Sequence, residues 1–308
     1  MNRVFVSGST GAIGIALIKE CIEQGIEVYA MCRKDSKRIK RIPDNKLVHI
    51  VECNLEHMKE LAIADIKKCD VFYHLGWTAT IGDGRNDMEL QVKNIQYTLD
   101  AVELAEKIGC NTFIGAGSQA EYGRVEGQLN ASTPTFPENG YGMAKLCAGQ
   151  MSRVECRKRN MNHIWTRILS VYGPGDSELT MISSTIRKIL DGNIPELTKG
   201  EQQWDYLYSD DAARAFILLG KKGIDGKIYC LGSGRARKLI EYIEKIRDAI
   251  DPKAELAIGA VPYSPKQVMY LCADITDLQQ DTGFSPQMEF EEGIRKTINS
   301  IKNEYKVR

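Results

Sequence analysis

The chain has 308 residues, 43% of them apolar, and its 41 basic side chains balance its 41 acidic ones. This length suits one large domain or a domain with an added lobe. A balanced charge argues against nucleic-acid or membrane-surface binding, which usually needs a basic excess. The longest apolar runs fall short of the roughly 20 residues that span a bilayer. We therefore expect neither a nucleic-acid nor a membrane partner.

Three features of the sequence bear on cellular location and metal binding: its first residues, its cysteines and its histidines. A strand pattern over residues 4–6 leaves no room for a signal peptide. The nine cysteines are scattered and form no CxxC pair, which is typical of reduced thiols in a cytoplasmic protein. The four histidines show no metal-ligand spacing, so no metal site is predicted.

Short apolar runs alternate with amphipathic stretches through the first half of the chain. Runs typical of strands occupy residues 4–6, 26–31, 47–51, 71–75, 112–114 and 164–169. Helical spacing of apolar residues predicts helices over 11–24 and across 92–104. This alternation predicts βαβ units in an α/β protein with a Rossmann-type, doubly wound parallel sheet.

The pattern loosens after about residue 172, where Gly173-Pro174-Gly175 interrupts it and further prolines follow. We place a Rossmann domain over 1–171 and a smaller C-terminal α/β lobe over 172–308. Segments around 204–235 are expected to return to the sheet, because 228–231 is again a strand-like run.

A glycine-rich turn follows the first strand and opens the first helix. Its spacing is GxxGxxG: Gly8 allows the tight turn, Gly11 lets a pyrophosphate approach the backbone, and Gly14 lets helix and strand pack closely. Amides at the helix N-terminus then face the anion. A plain strand-to-helix turn is the alternative, but the position favours dinucleotide binding. The predicted contacts are Gly8, Thr10, Gly11, Ala12, Ile13 and Gly14.

The second strand is followed by two basic residues, Arg33 and Lys34. Proteins that bind NAD usually carry an acid here, which accepts hydrogen bonds from the ribose hydroxyls. A guanidinium instead matches the geometry of a phosphate. The alternative is an ordinary solvated basic loop. The position favours a site for the 2′-phosphate and therefore NADP(H) as cofactor.

Tyr141 and Lys145 lie about one helical turn apart, so their side chains share a face. Hydride transfer at a carbonyl needs a proton at the oxygen, and a phenol with a pKa near 10 serves better beside a cation that lowers it. Ser118 follows the fifth strand, at the sheet edge where ligands bind. We predict Ser118, Tyr141 and Lys145 as the catalytic residues; a surface ion-pair spacing and a turn serine are the alternatives.

Together these motifs resemble the extended short-chain dehydrogenases, the NAD(P)-dependent sugar epimerase/dehydratase family, over nearly the full length. Further matches include Tyr122-Gly123, Val171 to Pro174 and Trp204 to Asp211. The resemblance implies that the first domain binds NADP(H), that the C-terminal lobe holds a nucleotide-sugar substrate, and that two helices per subunit form a homodimer. It adds as cofactor contacts Asn54, Leu55, Leu75, Gly76 and Asn94, and as substrate contacts Trp77, Gln119 and Tyr172.

Three departures from the family bear on the reaction. Asn54 stands where relatives commonly carry an aspartate facing the adenine, and Trp204 where many epimerases carry an arginine. Gln119 and Ala120 replace the Asp-Glu pair of sugar 4,6-dehydratases, and neither side chain can act as acid or base, which disfavours dehydration. The resemblance therefore favours NADPH-dependent reduction of the 4-keto group of a nucleotide-linked 4-keto-6-deoxyhexose. An epimerase with tightly bound NAD(P) and a non-enzymatic NADP-binding regulator stay open as alternatives.

Overall fold

The computed structural model describes residues 1–306 as strands, helices and connecting loops. The strands are β1 (Arg3–Ser7), β2 (Glu27–Cys32), β3 (Val48–Glu52), β4 (Val71–His74), β5 (Thr112–Ser118), β6 (Asn162–Ile168), β7 (Ser170–Tyr172), β8 (Glu196–Leu197), β9 (Gln203–Trp204), β10 (Tyr206–Tyr208), β11 (Ile228–Leu231), β12 (Arg237–Lys238), β13 (Ala257–Ile258) and β14 (Tyr270–Leu271). The helices are α1 (Ala12–Glu23), α2 (Met88–Lys107), α3 (Gly140–Lys158), α4 (Met181–Leu190), α5 (Ser209–Lys222), α6 (Leu239–Ile250), α7 (Thr276–Thr282) and α8 (Phe290–Lys306).

Seven of these strands form one parallel sheet in the order β11-β6-β5-β4-β1-β2-β3. The chain starts in the middle of the sheet at β1, proceeds outward through β2 and β3, then returns to β4 and proceeds the other way. The predicted doubly wound Rossmann-type fold is confirmed. In such a sheet the reversal between β1 and β4 opens a crevice at the carboxyl ends of the strands, where ligands bind.

Apolar residues cover both faces of the sheet, as parallel strands between two helix layers require. Successive residues of β1 point to opposite sides: Val4 joins the core that includes Leu17 of α1 and Phe216 of α5. Phe5 joins the opposite core, which includes Phe72 and residues of α2 such as Leu104. This burial holds the carboxyl ends of the strands in fixed relative positions.

The C-terminal part has its own core beside the sheet. Isoleucines of α4, α6 and α8 meet there, among them Ile186, Ile243 and Ile298. Short strand pairs, β7 with β10 and β8 with β13, and the group β12-β9-β14 complete this lobe. The strand-like run over 228–231 is β11, which pairs with β6 at the edge of the main sheet.

The sequence patterns locate most elements of the first half closely, but the strand predicted over 112–114 continues to Ser118. Its Gly-Ala-Gly segment has low intrinsic strand propensity, yet it pairs with β6 in register through Ser118 and Ile168. Ser118 is thus the last residue of β5, not a residue after it.

Within residues 1–306, no helix has both the length and the apolarity needed to cross a bilayer. Over the same residues, no three His, Cys, Asp or Glu side chains converge as metal ligands would.

Candidate active site

The glycines of the turn between β1 and α1 have two different roles: two are required by packing within the protein, and one borders open space. Gly8 has a φ of +74°, and a Cβ on it would lie 2.6 Å from the backbone N of Gly76. A Cβ on Gly14 would lie 2.4 Å from the carbonyl O of Gly8. A Cβ on Gly11 would meet nothing nearer than that same oxygen, at 3.5 Å. Packing within the protein therefore requires Gly8 and Gly14 but leaves the space beside Gly11, at the N-terminus of α1, open.

The residues predicted around the cofactor gather at the ends of β1 to β4. The Ser9 hydroxyl donates to the carbonyl O of Met31, 2.8 Å away, which ties the glycine turn to the end of β2. Leu55 contacts Gly76, since a Cβ on Gly76 would lie 2.8 Å from Leu55 Cδ2. Leu75 donates its backbone N–H to the carbonyl O of Ser7 at 3.1 Å. These contacts line one continuous edge of the sheet.

A surface pocket of about 350 Å³ opens between the ends of β2 and β3. Lys34 and Asn54 both line it, so the structure brings together two residues that the sequence assigned to the cofactor. Glu52 and Glu60 line it as well. Arg33 is exposed, directly after the last residue of β2.

Helix α3 begins close to the end of β5 because Gly142 has no side chain. A Cβ on Gly142 would lie 2.2 Å from the carbonyl O of Ala120, so any larger residue would push the helix away. Asn139 caps the helix by accepting a hydrogen bond from the Gly142 N–H at 2.9 Å. The first turn of α3 is thereby fixed against the turn that follows β5.

This approach brings the three predicted catalytic residues together. Ser118 and Tyr141 are each 9% exposed, and the Ser118 hydroxyl is close enough to the phenol to lower its pKa. Lys145 is 3% exposed, and its ammonium donates to the carbonyl O of Ala116, 2.5 Å away. A serine, a tyrosine and a lysine at the carboxyl edge of a Rossmann sheet, next to a dinucleotide-type turn, can bind a carbonyl oxygen and exchange a proton with it.

The family model described as NAD dependent epimerase/dehydratase family matches residues 4–232, most of the chain. The chain belongs to this family. Its members are extended short-chain dehydrogenases, NAD(P)-dependent enzymes that modify sugars as epimerases, dehydratases or reductases. The epimerase/dehydratase family resemblance seen in the motifs is confirmed.

Relatives within the epimerase/dehydratase family carry all three activities. The chain is 25% identical to the dTDP-4-dehydro-6-deoxyglucose reductase of Escherichia coli, over 98% of each chain. The UDP-N-acetylglucosamine 4-epimerase of Methanobrevibacter ruminantium superposes with a TM-score of 0.87 at 21% identity, over 98% of each chain. The dTDP-glucose 4,6-dehydratase of Streptomyces venezuelae does so with a TM-score of 0.87 at 18% identity, over 99% of this chain and 98% of that one. Solved neighbours hold NAD or NADPH.

In this member of the family, the charges around Tyr141 include a cation that the sequence prediction did not name. Burial raises the pKa of the phenol, while the hydrogen bond with Ser118 and the charge of Arg85 act in the opposite direction. Burial also lowers the pKa of Lys145 to about 7. Arg85 is therefore a cation that acts on the phenol, and the Lys145 amino group donates to Ala116 O.

Two side chains of the loop between β4 and α2 complete the surroundings of the catalytic pair. The indole of Trp77 lies over the Lys145 ammonium, 3.7 Å from ring centroid to Nζ, and stands edge-on to the Tyr141 ring. The guanidinium of Arg85 lies 4.5 Å from the Tyr141 ring centroid. Trp77 was predicted at the site, but Arg85 was missed. A basic residue in a loop leading to a helix is too common a pattern to single it out.

Asn94 and Gln91 of α2 hold this loop in place. Asn94 accepts a hydrogen bond from Thr78 N at 2.9 Å and donates one to Thr78 O at 3.0 Å. Gln91 accepts from Trp77 Nε1 at 3.0 Å and donates to Gly84 O at 2.9 Å. Asn94 was predicted to contact the cofactor, but both polar atoms of its buried amide are occupied by Thr78. We therefore assign Asn94 to the support of the loop.

The turn after β5 carries the residues that would distinguish dehydration from reduction. Gln119 is partly exposed and Ala120 is buried. The neighbouring carboxylate, Glu121, is fully buried and faces the protein interior, where it accepts hydrogen bonds from Trp165 and Arg167. No acid or base from this turn therefore reaches the space above Tyr141.

Tyr172 was predicted to contact the substrate, and the structure places it elsewhere. Its ring packs among Tyr206, Tyr208 and Phe290 in the core of the C-terminal lobe and is 2% exposed. Its hydroxyl donates to the carbonyl O of Phe290 at 3.4 Å. We assign Tyr172 to the packing of the lobe and withdraw it from the wall of the sugar pocket.

Proposed function

We propose that this protein uses NADPH to reduce the 4-keto group of a nucleoside-diphosphate 4-keto-6-deoxyhexose. One observation carries the proposal: Ser118, Tyr141 and Lys145 are assembled, while the turn beside them offers no acid or base. Reduction of a ketone needs a single proton donor, which Tyr141 supplies. Dehydration needs an additional acid for the leaving hydroxyl and a base for the carbon-bound proton.

The buried carboxylate of Glu121 strengthens the distinction from a dehydratase. It is the one carboxylate in the turn after β5, and its hydrogen bonds from Ser118 N, Trp165 and Arg167 point it away from the catalytic hydroxyls. The relative that shares 98% of its length with this chain and is named a 4-dehydro-6-deoxy sugar reductase is consistent with the same chemistry.

NADP(H) fits the residues at the sheet edge. The open space beside Gly11 suits a pyrophosphate at the N-terminus of α1. Arg33 and Lys34 follow β2, where a 2′-phosphate would lie, and no acid occupies either position. Asn54, in the pocket with Lys34, keeps hydrogen-bonding capacity toward an adenine without adding a negative charge.

Each residue around the catalytic pair has its own role in the proposed reaction. NADPH, when bound, supplies the hydride for carbon 4. The Ser118 hydroxyl donates a hydrogen bond to the keto oxygen and the Tyr141 phenol delivers the proton to it. Lys145 binds the ribose next to the nicotinamide, and the Arg85 charge stabilises the phenolate that remains.

The substrate pocket is bounded by residues from two loops. Trp77 offers an indole edge next to Tyr141, a surface suited to the apolar face of a deoxysugar. Gln119 directly follows Ser118, is partly exposed and can hydrogen-bond a sugar hydroxyl. The nucleotide would lie against the C-terminal lobe.

We further propose that the protein forms a homodimer through α2 and α3. Val92 of α2 is 63% exposed, and Met143, Met151 and Val154 of α3 are each more than two-fifths exposed. The last three residues lie on one side of the helix at helical spacing. A second copy would cover this apolar face, since identical pairs of helices can pack about a twofold axis.

The deciding experiment is mass spectrometry of the product formed from a 4-keto-6-deoxy nucleotide sugar and NADPH deuterated at the transferred position. Incorporation of one deuterium at carbon 4, with one NADPH consumed, supports the proposal. Interconversion of two hexose epimers without net NADPH consumption identifies an epimerase instead. NADPH binding with no turnover across UDP-, GDP-, CDP- and dTDP-linked substrates identifies a binding regulator.

A further inference from the structure

A buried ion pair lies directly behind the catalytic serine. Glu121 is completely buried and Arg167 is 3% exposed, and Glu121 Oε2 accepts a hydrogen bond from Arg167 Nε at 2.9 Å. The other carboxylate oxygen, Oε1, accepts from Trp165 Nε1 at 3.0 Å and from the backbone N–H of Ser118 at 2.8 Å. Three donors thus converge on one carboxylate below the active site.

Stability alone does not account for such a pair. Removing two charges from water costs several kcal/mol per ion, and buried ion pairs can often be replaced by apolar residues without loss. Here the burial of Glu121 raises its own pKa, which shows that the pair opposes a desolvation cost. What an apolar replacement could not provide is an acceptor for the Ser118 N–H.

The hydrogen bonds around Ser118 determine where its hydroxyl points. Its backbone N–H is held by Glu121, and its Oγ accepts a hydrogen bond from Ala120 N at 3.2 Å. Because Oγ acts as the acceptor in this hydrogen bond, its proton remains available for donation to the phenol of Tyr141 or to the keto oxygen. By accepting from the Ser118 N–H, the Glu121 carboxylate holds the backbone that carries this hydroxyl, although Glu121 itself does not contact the substrate.

Glu121 also supplies a negative charge that acts on both Tyr141 and Lys145. The charges that face Tyr141 are Arg85, from the loop before α2, Lys145, on α3 itself, and Glu121, after β5. Glu121 raises the pKa of both Tyr141 and Lys145, whereas Arg85 lowers that of Tyr141. His74, on β4 behind Lys145, is kept neutral because burial lowers its pKa to about 3.

We propose that Glu121, held in place by Arg167, is a positioning residue of the active site that anchors Ser118 and contributes to the electrostatic surroundings of Tyr141. Its kinetic consequences rest on the proposed reductase function, but its effect on the ionisation of Tyr141 does not. Neither residue lies at the ends of β1 to β4, where most of the predicted cofactor contacts gather, so cofactor affinity is expected to change less than the rate.

Two substitutions at Glu121 separate the roles of shape and charge. Glu121→Gln keeps an oxygen that accepts from Ser118 N but removes the charge, and Glu121→Leu removes both. In reduction, activity falls as pH rises through the Tyr141 pKa, because the phenol must be protonated. Loss of the Glu121 charge lowers that pKa, so the alkaline limb of kcat should move to lower pH by roughly half a unit or more in both variants.

The variants should differ in rate at their optimum. In Glu121→Leu, Ser118 loses its anchor, and misplacement of a reacting group by about 1 Å costs on the order of 10²-fold in kcat. Glu121→Gln should lose much less, and in Glu121→Leu the KM for NADPH should change less than kcat. A merely structural role would lower the amount of folded enzyme without moving the pH limb.

The ionisation of Tyr141 is then measured without any substrate, from tyrosinate absorbance as the difference between each protein and its Tyr141→Phe counterpart. A lower Tyr141 pKa in Glu121→Gln supports the proposal; an unchanged one overturns it. If that single variant does not fold, Glu121→Gln combined with Arg167→Met leaves no unpaired buried charge. Its downward shift should be smaller, because a positive charge is lost together with the negative one, and an unchanged Tyr141 pKa overturns the proposal there too. Native protein that turns over no 4-keto sugar refutes the proposed function, while the titration still decides the role of Glu121.

Discussion

Two glycines of the first turn should respond to the same substitution in opposite ways. In Gly14→Ala, the new Cβ would stand 2.4 Å from Gly8 O and 2.9 Å from the backbone of Ser9, atoms that cannot move without opening the turn. In Gly11→Ala, the Cβ would lie 3.5 Å from its nearest protein neighbour, and the φ of −79° at Gly11 suits an alanine. Gly14→Ala therefore strains the packing of the turn, whereas the methyl group of Gly11→Ala occupies the open space at the N-terminus of α1.

The magnitudes follow from these contacts. Overpacking costs about 1–3 kcal/mol, and the gain in helix propensity from glycine to alanine offsets up to about 1 kcal/mol. For Gly14→Ala we expect a net loss of about 2 kcal/mol in the free energy of unfolding, or roughly 3 °C in Tm for a chain of this length. For Gly11→Ala we expect less than about 1 kcal/mol from the poorer helix cap.

Gly11→Ala, which costs little stability, should have a large effect on cofactor affinity. The alanine methyl of Gly11→Ala would occupy the path of the pyrophosphate, and NADPH affinity should fall about tenfold or more, as for other overpacked contacts. The assays are thermal unfolding and NADPH titration of both variants at one pH and salt concentration. Native-like NADPH affinity in Gly11→Ala would refute the placement of the pyrophosphate at this turn. An unchanged Tm in Gly14→Ala would refute the packing argument.

Three further substitutions test the chemistry, the cofactor and the assembly. Tyr141→Phe should lower kcat about 10²-fold or more through loss of the proton donor, with NADPH binding retained; near-native turnover would contradict the mechanism. Arg33→Ala should weaken NADPH binding about tenfold or more and NADH binding little, since charge-assisted hydrogen bonds to phosphate contribute roughly 1.5–3 kcal/mol. Equal affinity of the native protein for both cofactors would identify a solvated loop. Met151→Glu should give a monomer by sedimentation where the native protein is a dimer, and an unchanged mass would remove α3 from the interface.

The sequence allowed prediction of those parts that depend on local patterns. Apolar runs located the strands, and the glycine spacing located the turn before α1, because each reflects contacts between residues near in the chain. The length of β5 could not be predicted, since its glycines are held in the sheet by pairing with β6, whose first residue lies more than forty residues after the last residue of β5.

In the candidate site, too, some features follow from local sequence patterns and others depend on contacts between distant residues. The serine, tyrosine and lysine follow from spacing, but the neighbours that set their charges come from other elements. Arg85 reaches Tyr141 from a loop after β4, and Arg167 reaches Glu121 from β6. Tyr172 has the same local sequence signal as a pocket residue, yet packing against Phe290, more than a hundred residues later, determines that it is buried. Such contacts depend on tertiary structure, which no pattern in a short window contains.

The pairing of β11 with β6 has a consequence for synthesis and truncation of the chain. Until residues 228–231 have been made, β6 presents an unpaired edge of backbone N–H and C=O groups, and such edges promote association between chains. A fragment that ends at residue 171 would carry every residue of the glycine turn and the catalytic trio, and also this open edge. We expect it to aggregate, so cofactor binding is best studied on chains that include β11.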